Sequence, residues 1–149
     1  MPDVNLGRFR NAFGIAPQGR YWTAQLRTCD EQDCVPDGLV ARLLAELPRT
    51  LSDTFDLDYF LTVSAGVSYS PIIVSVRCGG ELAGLLFACQ REIFGRPIGV
   101  VHLGHFCGDD FLIAREGHEC SVLSMALSNL FSYPRVHTMR AWIKPGDRL

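Results

Sequence analysis

The sequence predicts an α+β (α/β) domain in which helices flank a central, mostly antiparallel β-meander. Three observations predict it. A β-branched run at 72–78 is followed by Gly79-Gly80 and then by a long apolar segment at 82–94, so two strands meet across a tight turn that needs the positive φ of glycine. A second break, Gly95-Arg96-Pro97, precedes another strand-like run at 98–106. Helical periodicity brackets this block at 36–51 and at 119–131.

Taken in order, residues 1–20 carry Gly7, Gly14, Pro17 and Gly19, which break any period, and are expected to form a flexible N-terminal arm. Residues 21–29 alternate as a strand, with Trp22, Ala24 and Leu26 on one face. The helix at 36–51 has Pro36 and Asp37 in its first turn and a stripe of Leu39, Leu43, Leu44 and Leu47, and Pro48 ends or kinks it. A second short helix is expected over 56–63, capped by Thr54 or Asp53, with Leu57, Phe60 and Leu61 on its buried face.

After the meander, residues 111–114 read as a brief strand. The helix at 119–131 places Val122, Leu123, Ala126, Leu127 and Leu130 at helical spacing, and Pro134 closes it. Residues 136–143 alternate as a last strand and the tail is polar. No repeat or linker interrupts 21–149, so one domain is expected there.

Composition excludes several classes. At 149 residues, 48% hydrophobic and 20% charged, the chain is long and apolar enough to bury a core and is no disordered polymer. Thirteen of the 14 cations are arginines, with Lys144 the only lysine, and 16 carboxylates leave a net charge of −2. Without a basic run or basic–aromatic interleaving, nucleic acid is not an expected partner. The longest apolar stretches, 82–89 and 98–103, fall far short of the ~20 residues of a bilayer span, and no secretion signal is read at the N-terminus. The expected compartment is the cytoplasm, with no membrane partner, and there the six cysteines read as reduced thiols.

The densest polar chemistry lies at 102–110. There His105 and Cys107 share a strand face, His102 points the other way, and Asp109-Asp110 follow in a glycine-flanked loop. A histidine titrates near neutrality and a carboxylate needs burial to do so, hence His105, Asp109 and Asp110 are the candidates for orienting an amine or taking its proton. The plainer reading of the two aspartates is a solvated turn. His105, Cys107, His118 and Cys120 are also of zinc-ligand type, but their spacing matches no zinc signature and no C-x-x-C exists; core thiols and hydrogen-bonded histidines are the simpler reading, and no metal is expected. Cys29 and Cys34 flank Asp30, Glu31 and Asp33, which would raise rather than lower a thiol pKa. Cys89 reads as core and Cys78 as incidental. No nucleophile elbow, Walker loop or dinucleotide fingerprint is present.

The element order is strand, two helices, three meander strands, helix, strand. This order resembles the first part of the GNAT acetyltransferase fold. With Tyr21-Trp22…Leu26, the aromatic segment at 54–61, Gly79-Gly80-Glu81-Leu82-Ala83-Gly84, Leu103-Gly104…Gly108-Asp109-Asp110-Phe111-Leu112-Ile113…Gly117 and the closing segment at 142–149, it more closely resembles the first lobe of CelD-like or BioF-like acetyltransferases, relatives of the FemAB peptide-bond formers. The resemblance spans about residues 21 to 149, in short pieces.

It implies an N-acyltransferase that takes acetyl-CoA or another acyl-CoA as co-substrate and a small-molecule amine as acceptor. His105, Asp109 and Asp110 fall on the acceptor side, and Arg115, Gly117 and His118 on the side of the donor pyrophosphate. It also implies an incomplete or first lobe, whose partner is a second lobe or a second copy. The family holds pyrophosphate with [RQ]-x-x-G-x-[GA] at a helix N-terminus. Here that stretch is Ala114-Arg115-Glu116-Gly117-His118-Glu119-Cys120, with one glycine and two carboxylates. The alternative is a module of the same shape that binds a partner, or itself, through the open edge of its last strand, without CoA.

Overall fold

The computed structural model describes residues 4–5, 21–29, 32–33, 37–53, 55–56, 58–60, 62, 69–103, 111–133 and 136–141. Its elements are β1 (Val4–Asn5), β2 (Trp22–Thr28), α1 (Leu39–Ala45), α2 (Arg49–Ser52), β3 (Tyr69–Cys78), β4 (Glu81–Ile93), β5 (Arg96–Leu103), β6 (Leu112–Ala114), α3 (Glu119–Ser132) and β7 (Thr138–Ala141). The seven strands form one mixed sheet in the order β1-β2-β3-β4-β5-β7, with β6 also on β4. All pairings are antiparallel except β5 with β7. An α/β architecture with a mostly antiparallel sheet between helices is therefore what the chain adopts.

The length of β4 follows from its composition. Both of its faces are covered, so the run from Leu82 to Gln90 is buried without a break and shows no alternation. On one face, Ala24, Leu26, Ile72, Val74, Val76, Leu86, Val101 and Leu103 pack against Val122, Met125, Ala126 and Leu130 of α3. On the other, Ile73, Leu85, Phe87, Cys89 and Ile113 meet Val40, Leu43 and Leu47 from around α1, together with Phe55 and Phe60. Phe55 stacks on Phe87 with ring centroids 3.8 Å apart, and Phe60 meets the same ring edge-on at 5.6 Å. Such pairs add about 0.5–1.5 kcal/mol beyond the burial itself.

Several expectations shift. The helix expected over 36–51 starts later, with Gly38 as the N-cap of α1, and as expected it breaks at Pro48, after which α2 follows. Proline cannot donate to a preceding carbonyl and its ring crowds that turn, which is why the break falls there. Residues 58–60 and 62 are helical as expected, but the cap is Asp56, whose Oδ1 accepts from the Tyr59 N–H at 2.8 Å. Asp53 instead closes α2 as its C-cap.

The β4–β5 turn is Phe94-Gly95, not Gly95-Arg96-Pro97, and Arg96 already pairs with Ile93. Both turn residues have positive φ, 52° and 72°, the pattern a two-residue hairpin of this twist requires. Phe94 is an uncommon residue for that conformation, which is why the turn was not legible. The Gly79-Gly80 turn has φ of 61° and 88°, as expected. Cys78 is buried in the α3-side core rather than incidental. Within the segment expected as a flexible arm, Val4 and Asn5 pair with Ala24 and Thr23.

Gly84 explains the last glycine of the G-G-E-L-A-G stretch. A Cβ there would lie 2.5 Å from the Ile113 carbonyl oxygen and 2.7 Å from Val122 Cγ1. Only a residue without a side chain lets β6 and α3 close onto β4 at this point. Asn129 then ties α3 to the sheet, donating from Nδ2 to the Ala24 carbonyl at 3.0 Å.

Candidate functional site

The region the sequence singles out lies where β5 and β6 share one edge of β4. His102 is opposite Cys89, and Leu112 is opposite Leu86. In the sequence the segment 104–110 lies between these two pairings. His105, Cys107, Asp109 and Asp110 fall in it and lie outside the described residues.

The expected donor-side residues are described and fall on the turn from β6 into α3. The Arg115 backbone N–H donates to the Ala83 carbonyl at 2.8 Å. Its guanidinium donates from Nε to the Leu82 carbonyl at 2.7 Å and from Nη2 to the Glu46 carbonyl at 3.2 Å, so the side chain ties β4 to the end of α1. Gly117 has φ 79° and open space where a Cβ would be; its role is the turn itself. His118 is the N-cap of α3, with its ring tilted against Trp22 at 5.5 Å between centroids. Its Nδ1 is buried and has no hydrogen-bond partner among the described residues. The first-turn N–H groups of α3 give this end a partial positive charge, which Glu119 in the same turn opposes for any incoming anion. Of the other expected zinc-type residues, Cys120 is exposed.

His102, read from the sequence only as pointing away from His105, is a buried imidazole at the end of β5, 5% exposed. Its Nε2 lies 3.4 Å from Tyr69 Oη, and the two rings meet edge-on at 5.2 Å. Burial, and then the positive charges of Arg140 and Arg91, hold its pKa below the ordinary 6.5. It is a neutral base at neutral pH.

A second polar constellation was not foreseen. On the α1 face, the sheet is apolar along β4 but polar at β2 and β3, where Gln25 pairs with Ser75 and Thr23 with Arg77. A cavity of about 410 Å³ opens there, lined by Gln25, Arg27, Ile73, Ser75 and Arg77 of the strands and Leu39, Arg42, Leu43 and Glu46 of the helix segment. Arg77 grips Glu46 with both terminal nitrogens, at 2.7 and 2.9 Å, and also reaches the Gly80 carbonyl. The hydrogen bond from Arg77 holds the Glu46 carboxyl below its usual range, and the same bond raises the guanidinium. The available sign was Ser75, a hydroxyl in the middle of an otherwise aliphatic run.

No protein-family model matches the sequence, and no curated protein matches it either. No helix of the described residues is long and apolar enough to cross a membrane.

Proposed function

We propose that the chain is a GNAT-like acyltransferase lobe that transfers an acyl group from a CoA-type donor to an amine. The observation that carries this reading is the connection after the meander: β5 runs into β6 and α3 and returns as β7, parallel to β5 with Val100 opposite Thr138 and Leu103 opposite Ala141. An antiparallel meander followed by helix and strand is the element order that suggested the family. The N-terminus of α3, at Gly117-His118, is the donor end.

In the reaction the amine lone pair attacks the thioester carbonyl, a C–N bond forms, the C–S bond breaks, and the thiol leaves as free CoA. The amine proton passes to a base, for which His105, Asp109 and Asp110 are the candidates. Arg115, bonded to two carbonyls, acts by holding the turn in place, so backbone N–H groups of the helix carry the phosphate contact.

Thermal unfolding with and without acetyl-CoA tests the reading. A donor at a hundred times its dissociation constant stabilises the fold by about 2.7 kcal/mol. An unchanged transition in a well-folded chain counts against catalysis by this lobe. A second reading, a non-catalytic module that pairs with a second lobe or a second copy, is favoured by β7: it ends the sheet order, with Thr138, Arg140 and Ala141 exposed. Concentration-dependent association that Arg140→Pro abolishes would support it.

A further inference from the structure

We propose that the cavity between α1 and the β2–β3 pair binds a small organic anion, a phosphate or carboxylate carried on a short apolar body. Its size, about 410 Å³, falls within the range of small-molecule sites. Three guanidiniums, those of Arg27, Arg42 and Arg77, face one carboxylate, that of Glu46. Arg77 and Glu46 satisfy each other and fix one end of the cavity. Among the described residues, Arg27 and Arg42 form no ion pair, so two planar forks at the mouth keep their donors for an incoming anion.

The interior suits the rest of such a ligand. Ile73 and Leu43 are buried and apolar, and Leu39 adds to them. Ser75 is 8% exposed, and its hydroxyl makes only a long 3.5 Å contact to the Gln25 carbonyl. A hydroxyl held this loosely in a buried strand position is costly unless something else bonds it, whereas valine would cost nothing there. The Gln25–Ser75 pair and the two arginines thus form a polar corner beside an apolar wall. That wall belongs to the α1 face of the sheet, across from α3, so this site stands or falls apart from acyl-CoA binding at the α3 N-terminus.

The test is calorimetric titration of the full chain at low ionic strength with inorganic phosphate and, separately, with butyrate. Saturable binding of either probe is expected, and the better probe identifies the head group. Arg27→Gln and Arg42→Gln should each weaken it by about tenfold, the effect of losing one charge-assisted contact. Both residues are exposed, and melting curves without probe verify that the variants fold. Arg96→Gln, at the far hairpin, should leave affinity unchanged. The proposal is overturned if neither probe saturates, if the Arg27→Gln/Arg42→Gln double variant binds as before, or if Arg96→Gln weakens binding equally.

Discussion

His102 sets a pH dependence that can be signed from its surroundings. Its folded pKa lies below the ordinary 6.5 because burial and two arginines disfavour the imidazolium. The unfolded chain therefore binds more protons as pH falls below about 6.5, and stability contributed by the neutral ring is lost over that window and down through the folded pKa. Urea titrations between pH 7.5 and 5 should show a declining unfolding free energy, and His102→Gln should flatten the slope. An equal slope in the variant would assign the effect elsewhere. At the same scale, the Arg77–Glu46 pair is well formed but partly exposed, at 32% and 43% of side-chain surface. A double-mutant cycle should give a coupling of about 0.2–1 kcal/mol, reduced by salt. A larger value would mean that water is excluded from the cavity end. His102 was visible in the sequence as a residue but not as a buried base, since its shift comes from burial within the folded sheet and then from Arg140 and Arg91 on other strands. The cavity was hidden for the same reason: its arginines come from β2, α1 and β3.

At the level of elements, the turn after β4 and a glycine within β4 make opposite predictions. Phe94 stands at φ 52° with its side chain fully exposed, so it meets the cost of a left-handed conformation with no burial to offset it. Phe94→Asn or Phe94→Gly should raise stability by about 0.5–1 kcal/mol, read as an increase in the denaturation midpoint. Destabilisation would mean that the ring makes a contact in solution. Gly84 predicts the reverse. Gly84→Ala forces a methyl into the Ile113 carbonyl and Val122, and overpacking of that kind costs about 1–3 kcal/mol. The strands and α3 were legible because apolar periodicity and glycine pairs mark them locally. The break at Pro48 was legible for the same reason, whereas the Phe94-Gly95 turn and the start of α1, after Gly38 rather than at Pro36, were read less well. Both are boundaries that propensity alone leaves free. Met125 and Asn129 were missed on the buried face of α3; Asn129 is polar, and its buried amide is satisfied by the Ala24 carbonyl.

For the whole molecule, the meander order was readable from spacing, but the placement of β6 was not. Nothing local says that residues 112–114 return to the same edge of β4 as β5, or that β7 runs parallel to β5. Those two pairings put the start of α3 at the end of the sheet where the proposed donor phosphates would lie. The residues expected to contact them divide by role: Arg115 braces β4 against α1, Gly117 makes the turn, and His118 occupies the N-cap position without a side-chain capping bond, its ring against Trp22. The acyltransferase reading therefore depends on backbone N–H groups at that helix end rather than on a basic side chain. The most direct measurement is an amide ¹H–¹⁵N titration of the full chain with acetyl-CoA. The account predicts saturating shifts centred on Gly117, His118, Glu119 and Cys120, with the α1 amides little changed. No saturating shifts, or shifts confined to α1 and the β2–β3 pair, would contradict it.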